Sequence, residues 1–538
     1  MVDSKILFPG FMQGLGHKVH TPGGYGIVTN GITRFGGLMN GLKEEADMSG
    51  IAAGYRVVRV IKHNDVNIAI TTNGTNSKIY REESNAWVEK ETVNSAVCTD
   101  VASFHDGSDS LLAWCFGDDV AFRFSSNDGT AWEAATASPW GNARFVKYFL
   151  VQQNNLSGAR VLIAVDPNRL YFADSLDNSA TVSTDAEIGD ASSQDYWTSL
   201  IQDDLGVVYC GKRHYLYAYA NGPSVVLAGP FNDPPADAGG MSDRNNFENP
   251  QILPNGVIVY PVEGYDILGV RHSERFPQLS PRWTPRLNGW ICPRLELPIN
   301  AMLVVGDYLI VALGSGNTAS NRSVVSAPGG TNLLQNTFAT TSELYVAQIV
   351  GDSLVWHGSE LTCTDLLRYL WFDEDDGYLY LASGAAESAN QQQRRCFFFQ
   401  SAPEITLSSS NLQLNTTDPA ILETAVIGAD DPFDHQIPLY FKALATGLAS
   451  SVPSLRVDFR WTGEFDTTTT YSTLETYTNG QRALTGTRFR NPVSSTVGRL
   501  RFVLTADSAS TPDRFAILRS AELLLGTFAE RRLPVGAY

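Results

Sequence analysis

Short strand-forming cores recur along the middle of this sequence at a nearly constant spacing. Each core combines aromatic and aliphatic residues, and the seven cores begin at residues 78, 121, 170, 215, 265, 308 and 378. Successive cores begin about 43 to 50 residues apart, except for the last step of about 70. A period of this size, carried by β-strands, is typical of four-stranded blades arranged in a ring. The repeat therefore predicts an all-β chain with a β-propeller at its centre.

The repeat also sets the expected domain boundaries. It covers residues 54–404 and predicts about seven blades, with six to eight consistent with the spacing. The Gly/Ser/Thr/Asn-rich stretch at residues 314–344 is either an insertion or a further, poorly marked unit. Residues 1–53 are rich in glycine and lie outside the repeat, so we expect an N-terminal arm that completes the ring or reaches a neighbouring subunit. Within this arm, residues 39–48 are the best helix candidate of the chain.

The pattern changes after about residue 405. Residues 455–461 (LRVDFRW) alternate strictly between apolar and charged side chains, which is typical of a half-buried antiparallel strand. Similar runs, separated by turn-rich links, occur four more times before the chain ends. We therefore expect residues 405–538 to form a β-sandwich or jelly-roll-like domain with a short C-terminal tail.

The segment SSNDGTAW, residues 125–132, resembles the Asp-box of sialidase-type propellers, Ser-x-Asp-x-Gly-x-Thr-Trp. Asn127 stands where that motif has Asp, and Ala131 stands where it has Thr. In that family the box is a structural hairpin turn between the outer strands of a blade. The resemblance implies such a turn here, formed by Ser125, Asn127, Gly129 and Trp132. A plain surface Asn-Asp-Gly hairpin is the alternative.

Charge and hydropathy exclude several function classes. The formal net charge of -18 disfavours binding to nucleic acid, which needs a basic surface. No apolar run approaches the ~18 residues that a membrane-spanning helix requires. The first residues show no basic segment followed by an apolar stretch, so we also expect synthesis without an N-terminal export signal.

Residues with catalytic or metal-binding patterns are scarce. The sequence contains no nucleophile-elbow, P-loop or dinucleotide-binding motif. Only His17 and His20 are closely spaced histidines, and the six cysteines form no CxxC pair, which favours buried free thiols. Two acidic runs, residues 373–377 and 430–434, are either solvated hairpin tips or calcium loops, and the missing EF-hand spacing favours the former. The sequence thus predicts no catalytic, cofactor-binding or metal-binding residues.

In its architecture the chain resembles the propeller-plus-sandwich proteins of tailed-bacteriophage tails, such as minor tail, tail-tip and nozzle-type components. The resemblance is carried by the Gly-rich residues 23–41, by the blade cores SKIYR and LYFAD, and by the final strands at residues 499–506 and 514–526. It implies a non-enzymatic virion tail component, assembled in the host cytoplasm. Its implied partners are other tail proteins, further copies of itself and a host-surface glycan. A carbohydrate-binding or sialidase-like glycoside-cleaving propeller is the alternative.

Overall fold

The computed structural model describes residues 2–8, 25–46, 50–105, 110–117, 120–135, 143–149, 160–175, 181–191, 195–220, 223–234, 245–273, 276–279, 299–314, 342–351, 353–363, 366–383, 393–401, 414–415, 417–424, 427–428, 435–448, 454–461, 471–477, 487–488, 497–505 and 517–528. All regular elements in these ranges are β-strands, which confirms the all-β class. Within the same ranges, no helix is long and apolar enough to cross a membrane.

The N-terminal segment contains five strands. They are β1 (Val2–Phe8), β2 (Tyr25–Thr29), β3 (Gly31–Ile32), β4 (Met39–Asn40) and β5 (Glu45–Ala46). The helix expected at residues 39–48 is wrong for its described part, because residues 39–40 and 45–46 are strands. Residues 39–40 pair with β3, and residues 45–46 pair with residues 394–395, so neither pair forms local helical bonds.

Strands β6 to β32 form seven sheets of four strands each, with β5 as the last member of the seventh. Every strand in these sheets pairs antiparallel with its neighbour, and we number the sheets blade 1 to blade 7. Blade 1 comprises β6 (Arg56–His63), β7 (Val66–Thr72), β8 (Ser77–Glu83) and β9 (Ala86–Val93), and blade 2 comprises β10 (Asp100–His105), β11 (Ser110–Cys115), β12 (Arg123–Ser125) and β13 (Glu133–Ala134). Blade 3 comprises β14 (Ala143–Tyr148), β15 (Val161–Val165), β16 (Arg169–Ala173) and β17 (Val182–Glu187), and blade 4 comprises β18 (Trp197–Gln202), β19 (Val208–Lys212), β20 (Leu216–Tyr219) and β21 (Val225–Ala228).

Blades 5 to 7 continue the series. Blade 5 comprises β22 (Gln251–Ile252), β23 (Ile258–Val262), β24 (Asp266–Ser273) and β25 (Phe276–Leu279). Blade 6 comprises β26 (Ile299–Val305), β27 (Tyr308–Gly314), β28 (Ser342–Val350) and β29 (Ser353–Cys363). Blade 7 comprises β30 (Leu367–Asp373), β31 (Tyr378–Ser383), β32 (Gln393–Phe397) and β5. Residues 315–341, within the stretch considered as an extra unit, lie outside the described residues. The strands on either side of them, β27 and β28, are adjacent in blade 6.

Buried apolar residues close the seven blades into a ring. Seven hydrophobic clusters of the described residues each span two consecutive blades, and one of them joins blade 7 to blade 1; the cluster between blades 5 and 6 also includes residues of the C-terminal strands. Strand β15 shows the cause: Val161 and Ile163 face blade 2, while Leu162 and Ala164 face blade 4. Because successive side chains of a strand point to opposite faces, an apolar strand buries both faces between its neighbours. This arrangement is a β-propeller.

The strand cores of the repeat occupy two different places in the blades. The first five cores coincide with the third strands β8, β12, β16, β20 and β24. The last two coincide with the second strands β27 and β31. The repeat therefore predicted the ring, although its last two units were marked by a different strand.

The C-terminal strands form two further sheets. They are β33 (Ala420–Thr424), β34 (Ile427–Gly428), β35 (His435–Thr446), β36 (Ser454–Trp461), β37 (Ser472–Tyr477), β38 (Thr487–Arg488), β39 (Val497–Thr505) and β40 (Ile517–Phe528). Sheet A has the order β1-β40-β35-β38; sheet B has the order β2-β33-β39-β36-β37, with β34 beside β39. Ala443 and Ala521 of sheet A share a buried cluster with Leu455 and Phe502 of sheet B, so the two sheets have a common core.

The N-terminal segment takes part in both units. Strand β1 pairs with β40, β2 pairs with β33, and β5 pairs with β32 of blade 7. Completion of the ring was one of the two expectations for this segment. Its pairing with the C-terminal sheets was not expected, because a strand partner about 500 residues away leaves no local pattern in the sequence.

Candidate binding site on the axis of the ring

The Asp-box-like segment forms a compact turn between β12 and β13. The Ser125 hydroxyl donates to Asn127 Oδ1 at 2.8 Å and accepts from the Gly129 amide at 3.1 Å. Asn127 Oδ1 also accepts from the Ala131 amide at 2.9 Å, and Gly129 has a φ of 74°. A side-chain oxygen that bonds nearby amides, with glycine at the positive φ, is the usual chemistry of such turns.

Trp132 and Asp128 connect this turn to blade 1. The Trp132 ring donates to the Gly129 carbonyl and packs edge-to-face on Trp114, beside the cluster between blades 1 and 2. The Asp128 carboxylate accepts from Asn64 Nδ2 at 2.7 Å and lies 3.4 Å from His63 Nε2. Burial and the stacked His105 ring lower the pKa of His63, and Asp128 opposes this effect. The turn thus links two blades.

Ser125→Ala is expected to lower the free energy of unfolding by about 1–3 kcal/mol, because it leaves the buried Gly129 amide without its acceptor. Urea denaturation followed by tryptophan fluorescence measures this change. Thr130→Ala is the matched control in the same turn, where the side chain is exposed, and it should change stability by less than about 0.5 kcal/mol. Equal effects of the two substitutions would show that the Ser125 hydroxyl does not hold the turn.

A buried ion pair anchors the N-terminal segment to the ring. Arg34 Nε lies 2.7 Å from Glu360 Oε1 of blade 6, and both side chains are fully buried. The guanidinium also donates to the Phe399 carbonyl, and it stacks on the rings of Phe35, Tyr308 and Phe398. These contacts of the Arg34 guanidinium hold the N-terminal segment against blades 6 and 7.

The innermost strands of the blades share a backbone irregularity. In five of them a β-bulge occurs near the start of the strand. The bulged residues are Val58, Arg144, Thr198, Asn300 and Arg368. A bulge locally re-aims the side chains that follow it. In blades 1, 3, 4 and 7, the residue immediately after the bulge lines a cavity on the axis of the ring.

This axial cavity has a volume of about 270 Å³. Six of the seven blades contribute to its wall. Polar and charged groups come from blades 1, 3 and 4, including Arg59, Lys147 and Ser199. Apolar groups come from blades 3 to 7, including Ile252, Leu303 and Leu370, and blade 5 also adds the polar Gln251. The cavity is therefore amphipathic.

Two cations of the cavity wall share one buried carboxylate. Asp100 Oδ1 lies 2.5 Å from Arg59 Nη1, and Asp100 Oδ2 lies 3.0 Å from Lys147 Nζ. Asp100 is completely buried, whereas the side chains of Arg59 and Lys147 are 29% and 24% exposed. Burial and the nearby Arg59 lower the pKa of Lys147; for Arg59, burial is outweighed by Asp100, which raises the pKa. The wall thus presents net positive charge.

An arginine–tyrosine–arginine stack lies beside the starts of the inner strands. The guanidinium of Arg144 lies 5.1 Å from the Tyr196 ring centre, and that of Arg213 lies 5.9 Å from it. Arg144 pairs with Asp166, and Arg213 pairs with Asp233. Burial raises the pKa of Tyr196, whose hydroxyl donates to Asn245 Oδ1 at 2.7 Å. Each guanidinium is therefore oriented by a carboxylate and an aromatic face.

The other sequence candidates add no metal centre to the part of the chain that the structure describes. No group of three or more His, Cys, Asp or Glu is arranged to hold an ion there. The acidic run at residues 373–377 is a hairpin tip between β30 and β31, and Asp373 and Asp375 pair with Lys62 of blade 1. Five cysteines are buried and free. His17, His20, Cys292 and residues 430–434 lie outside the described residues.

The axial residues carry no recognisable motif in the sequence. Arg59 and Lys147 stand in RVVRVIKH and ARFVKY, where isolated charges lie between the apolar residues of ordinary strands. One available signal was that the first strand of each repeat unit lies on the axis of a propeller. A charged residue in the middle of such a strand then faces the channel.

Comparisons with known proteins give only distant similarities. No protein-family model matches the sequence, and no curated protein matches it. Among solved structures, the chain is similar to the propeller domain of Cps50 from Myceliophteria thermophila, with 10% identity and a TM-score of 0.41, over 66% of this chain and 100% of that one. It is also similar to YCF48 from Cyanidioschyzon merolae, with 10% identity and a TM-score of 0.41, over 66% and 98%. A catalytically inactive virginiamycin B lyase from Staphylococcus aureus gives 9% identity and a TM-score of 0.41, over 66% and 99%.

Proposed function

We propose that this chain is a structural subunit of a bacteriophage tail. In this proposal it is a seven-bladed β-propeller carrying a β-sandwich, it has no catalytic role, and it assembles in several copies with other tail proteins in the host cytoplasm. The observation that carries the proposal is the course of the N-terminal segment. Its strands complete sheet A, sheet B and blade 7 in turn, so they tie the two units together by backbone hydrogen bonds.

Charged side chains support the same conclusion, because they connect neighbouring blades. Lys212 of blade 4 is fully buried and donates to the carbonyls of Pro167 and Ile188 in blade 3. Asp100 joins blades 1, 2 and 3 through its two cations. Groups fixed in this way resist relative movement of the blades, as expected of a rigid building block.

The sheet edges of the C-terminal unit suggest how copies could meet. Within the described strands, sheet A ends at β1 and β38 and sheet B ends at β2 and β37, and each of these four strands pairs along one edge alone. An exposed strand edge presents free amides and carbonyls that can pair with a strand of another chain. We therefore expect contacts between copies at these edges.

Purified phage particles from the producing host test the proposal. Mass spectrometry should find the chain in the particles in several copies, and cryo-electron microscopy should place it in the tail. A protein that is strictly monomeric in solution, present in the lysate and absent from the particles would contradict the proposal.

A carbohydrate-binding or glycoside-cleaving propeller is the second candidate. The observation in its favour is the axial cavity, whose lining includes hydroxyl and amide side chains together with Tyr148 and Tyr369. Aromatic faces combined with a few fixed polar groups are typical of small-molecule sites. A glycan array and a panel of fluorogenic glycosides test this candidate: cleavage would contradict the non-catalytic role proposed above, whereas binding without cleavage is compatible with that role.

A further inference from the structure

The wall of the axial cavity contains two hydroxyl groups that bond to nothing in the described protein. Thr198 and Ser199 are 4% and 2% exposed, and neither Thr198 Oγ1 nor Ser199 Oγ has a hydrogen-bond partner among the described residues. A buried hydroxyl without a partner costs about 1–3 kcal/mol. Buried polar groups normally have partners, so a pair without them in one cavity needs an explanation.

Local backbone geometry holds these two hydroxyls close together. The bulge in β18 removes the strict alternation of side chains at Thr198 and Ser199. Both oxygens lie near Gly211 of β19, where an added Cβ would be 2.2 Å from Ser199 Oγ and 3.1 Å from Thr198 Oγ1. Glycine at this position therefore leaves the space that the two hydroxyls occupy.

The hydroxyls and the two cations follow one another around the axis. Arg59 lies on β6, Lys147 on β14 and Ser199 on β18. Asp100 on β10 completes the series, and neighbouring strands among these four are in contact. These four strands thus bring donors and positive charge to one continuous part of the wall, whereas Ile252, Leu303 and Leu370 lie on the inner strands of blades 5 to 7.

We propose that the axial cavity binds a small organic acid. Its oxyanion, a carboxylate or a phosphate, is held by Arg59 and Lys147, and it accepts hydrogen bonds from Thr198 and Ser199. The carbon body of the ligand lies against Ile252, Leu303 and Leu370. This inference does not depend on the assignment to a phage tail.

The dimensions and charge favour an organic acid over an inorganic ion. The cavity volume corresponds to roughly nine water molecules, far more than one small ion occupies. The buried Asp100 neutralises only one of the two cations that face the cavity. A ligand with one anionic group would complete the charge balance while its body covers the apolar wall.

Benzoate and phenyl phosphate are suitable probes for the full-length protein, with benzamide as a neutral control of the same shape. The acids should raise the melting temperature and bind with one site per chain in calorimetry. Benzamide should bind at least about tenfold more weakly, because it lacks the charge that Arg59 and Lys147 pair with. The ranking of the two acids shows whether a carboxylate or a phosphate is preferred.

Three variants locate the site. Lys147→Met should weaken acid binding at least about tenfold, while Asp100 keeps Arg59 as its partner. Thr198→Val and Ser199→Ala should weaken binding while leaving the ligand-free protein as stable as before or more stable, since each removes a hydroxyl without a partner. Lys43→Met, at a lysine of the N-terminal segment that is 46% exposed, is the control and should bind like the parent. Absence of acid binding, or binding unchanged in Lys147→Met, overturns the proposal.

Discussion

Arg34→Met is expected to lower the free energy of unfolding by about 3–5 kcal/mol, which is the usual cost of removing one partner of a buried ion pair. The substitution leaves the Glu360 carboxylate fully buried without its cation. It also removes the donor to the Phe399 carbonyl and the stacking on three aromatic rings. Urea denaturation measures the loss. Hydrogen exchange should increase most at residues 30–46, where the segment joins the ring.

Two further variants separate the ion pair from general damage. Lys43→Ala removes a neighbouring charge whose pair with Glu45 is exposed, so stability should change by less than about 1 kcal/mol. The double variant Arg34→Met with Glu360→Met leaves no buried charge and should recover much of the lost stability. If the double variant is as unstable as the two single losses combined, packing and not charge makes Arg34 necessary.

The ring was predictable because its cause is repeated in the sequence. Each blade must bury both faces against its neighbours, so every blade contains an apolar core such as LYFA in β16 or LYAY in β20. The period of the repeat alone did not determine the exact number of blades, for two reasons. Blade 6 contains residues 315–341 between its second and third strands, and the last two cores belong to second strands.

Tertiary pairing explains most of what the sequence did not predict. Strand β36 was expected with its charges on the solvated face, and Arg456 is exposed as expected. Asp458 of the same strand is 1% exposed, because it pairs with Arg501 and accepts a hydrogen bond from Thr473. A carboxylate can be buried when its partners come from neighbouring strands, and those partners lie 15 and 43 residues away.

The axial site could not be predicted from the sequence, because it also depends on tertiary structure. Its donors lie on strands whose bulges are backbone features, and no residue type marks a bulge at Val58, Thr198 or Arg368. The turn at residues 125–132 was visible because the hydrogen bonds of Ser125, Asn127 and Trp132 that close it join residues at most four positions apart. Sites built from local contacts can be read from sequence, whereas sites built around an axis require the fold.

Acidification is expected to destabilise the protein through His357. This buried histidine of β29 lies close to the Arg34 guanidinium, and burial together with that positive charge lowers its pKa to about 3. In the unfolded chain the same imidazole has a pKa of about 6.5. Below pH 6.5 the unfolded state therefore binds a proton that the folded state does not, so the stability present above this pH is lost progressively as the pH falls towards about 3.

The expected loss over this window is at most about 5 kcal/mol, from about 1.4 kcal/mol for each unit of pKa difference. Unfolding midpoints of the parent and of His357→Asn between pH 7 and pH 4 measure it, and the variant should show a clearly shallower dependence because it has no proton to bind at this site. His214→Asn, at a histidine whose ring is 33% exposed, is the control for replacing a histidine. If the parent and His357→Asn lose stability in parallel, other groups cause the acid sensitivity, and the close approach of His357 and Arg34 has no energetic consequence.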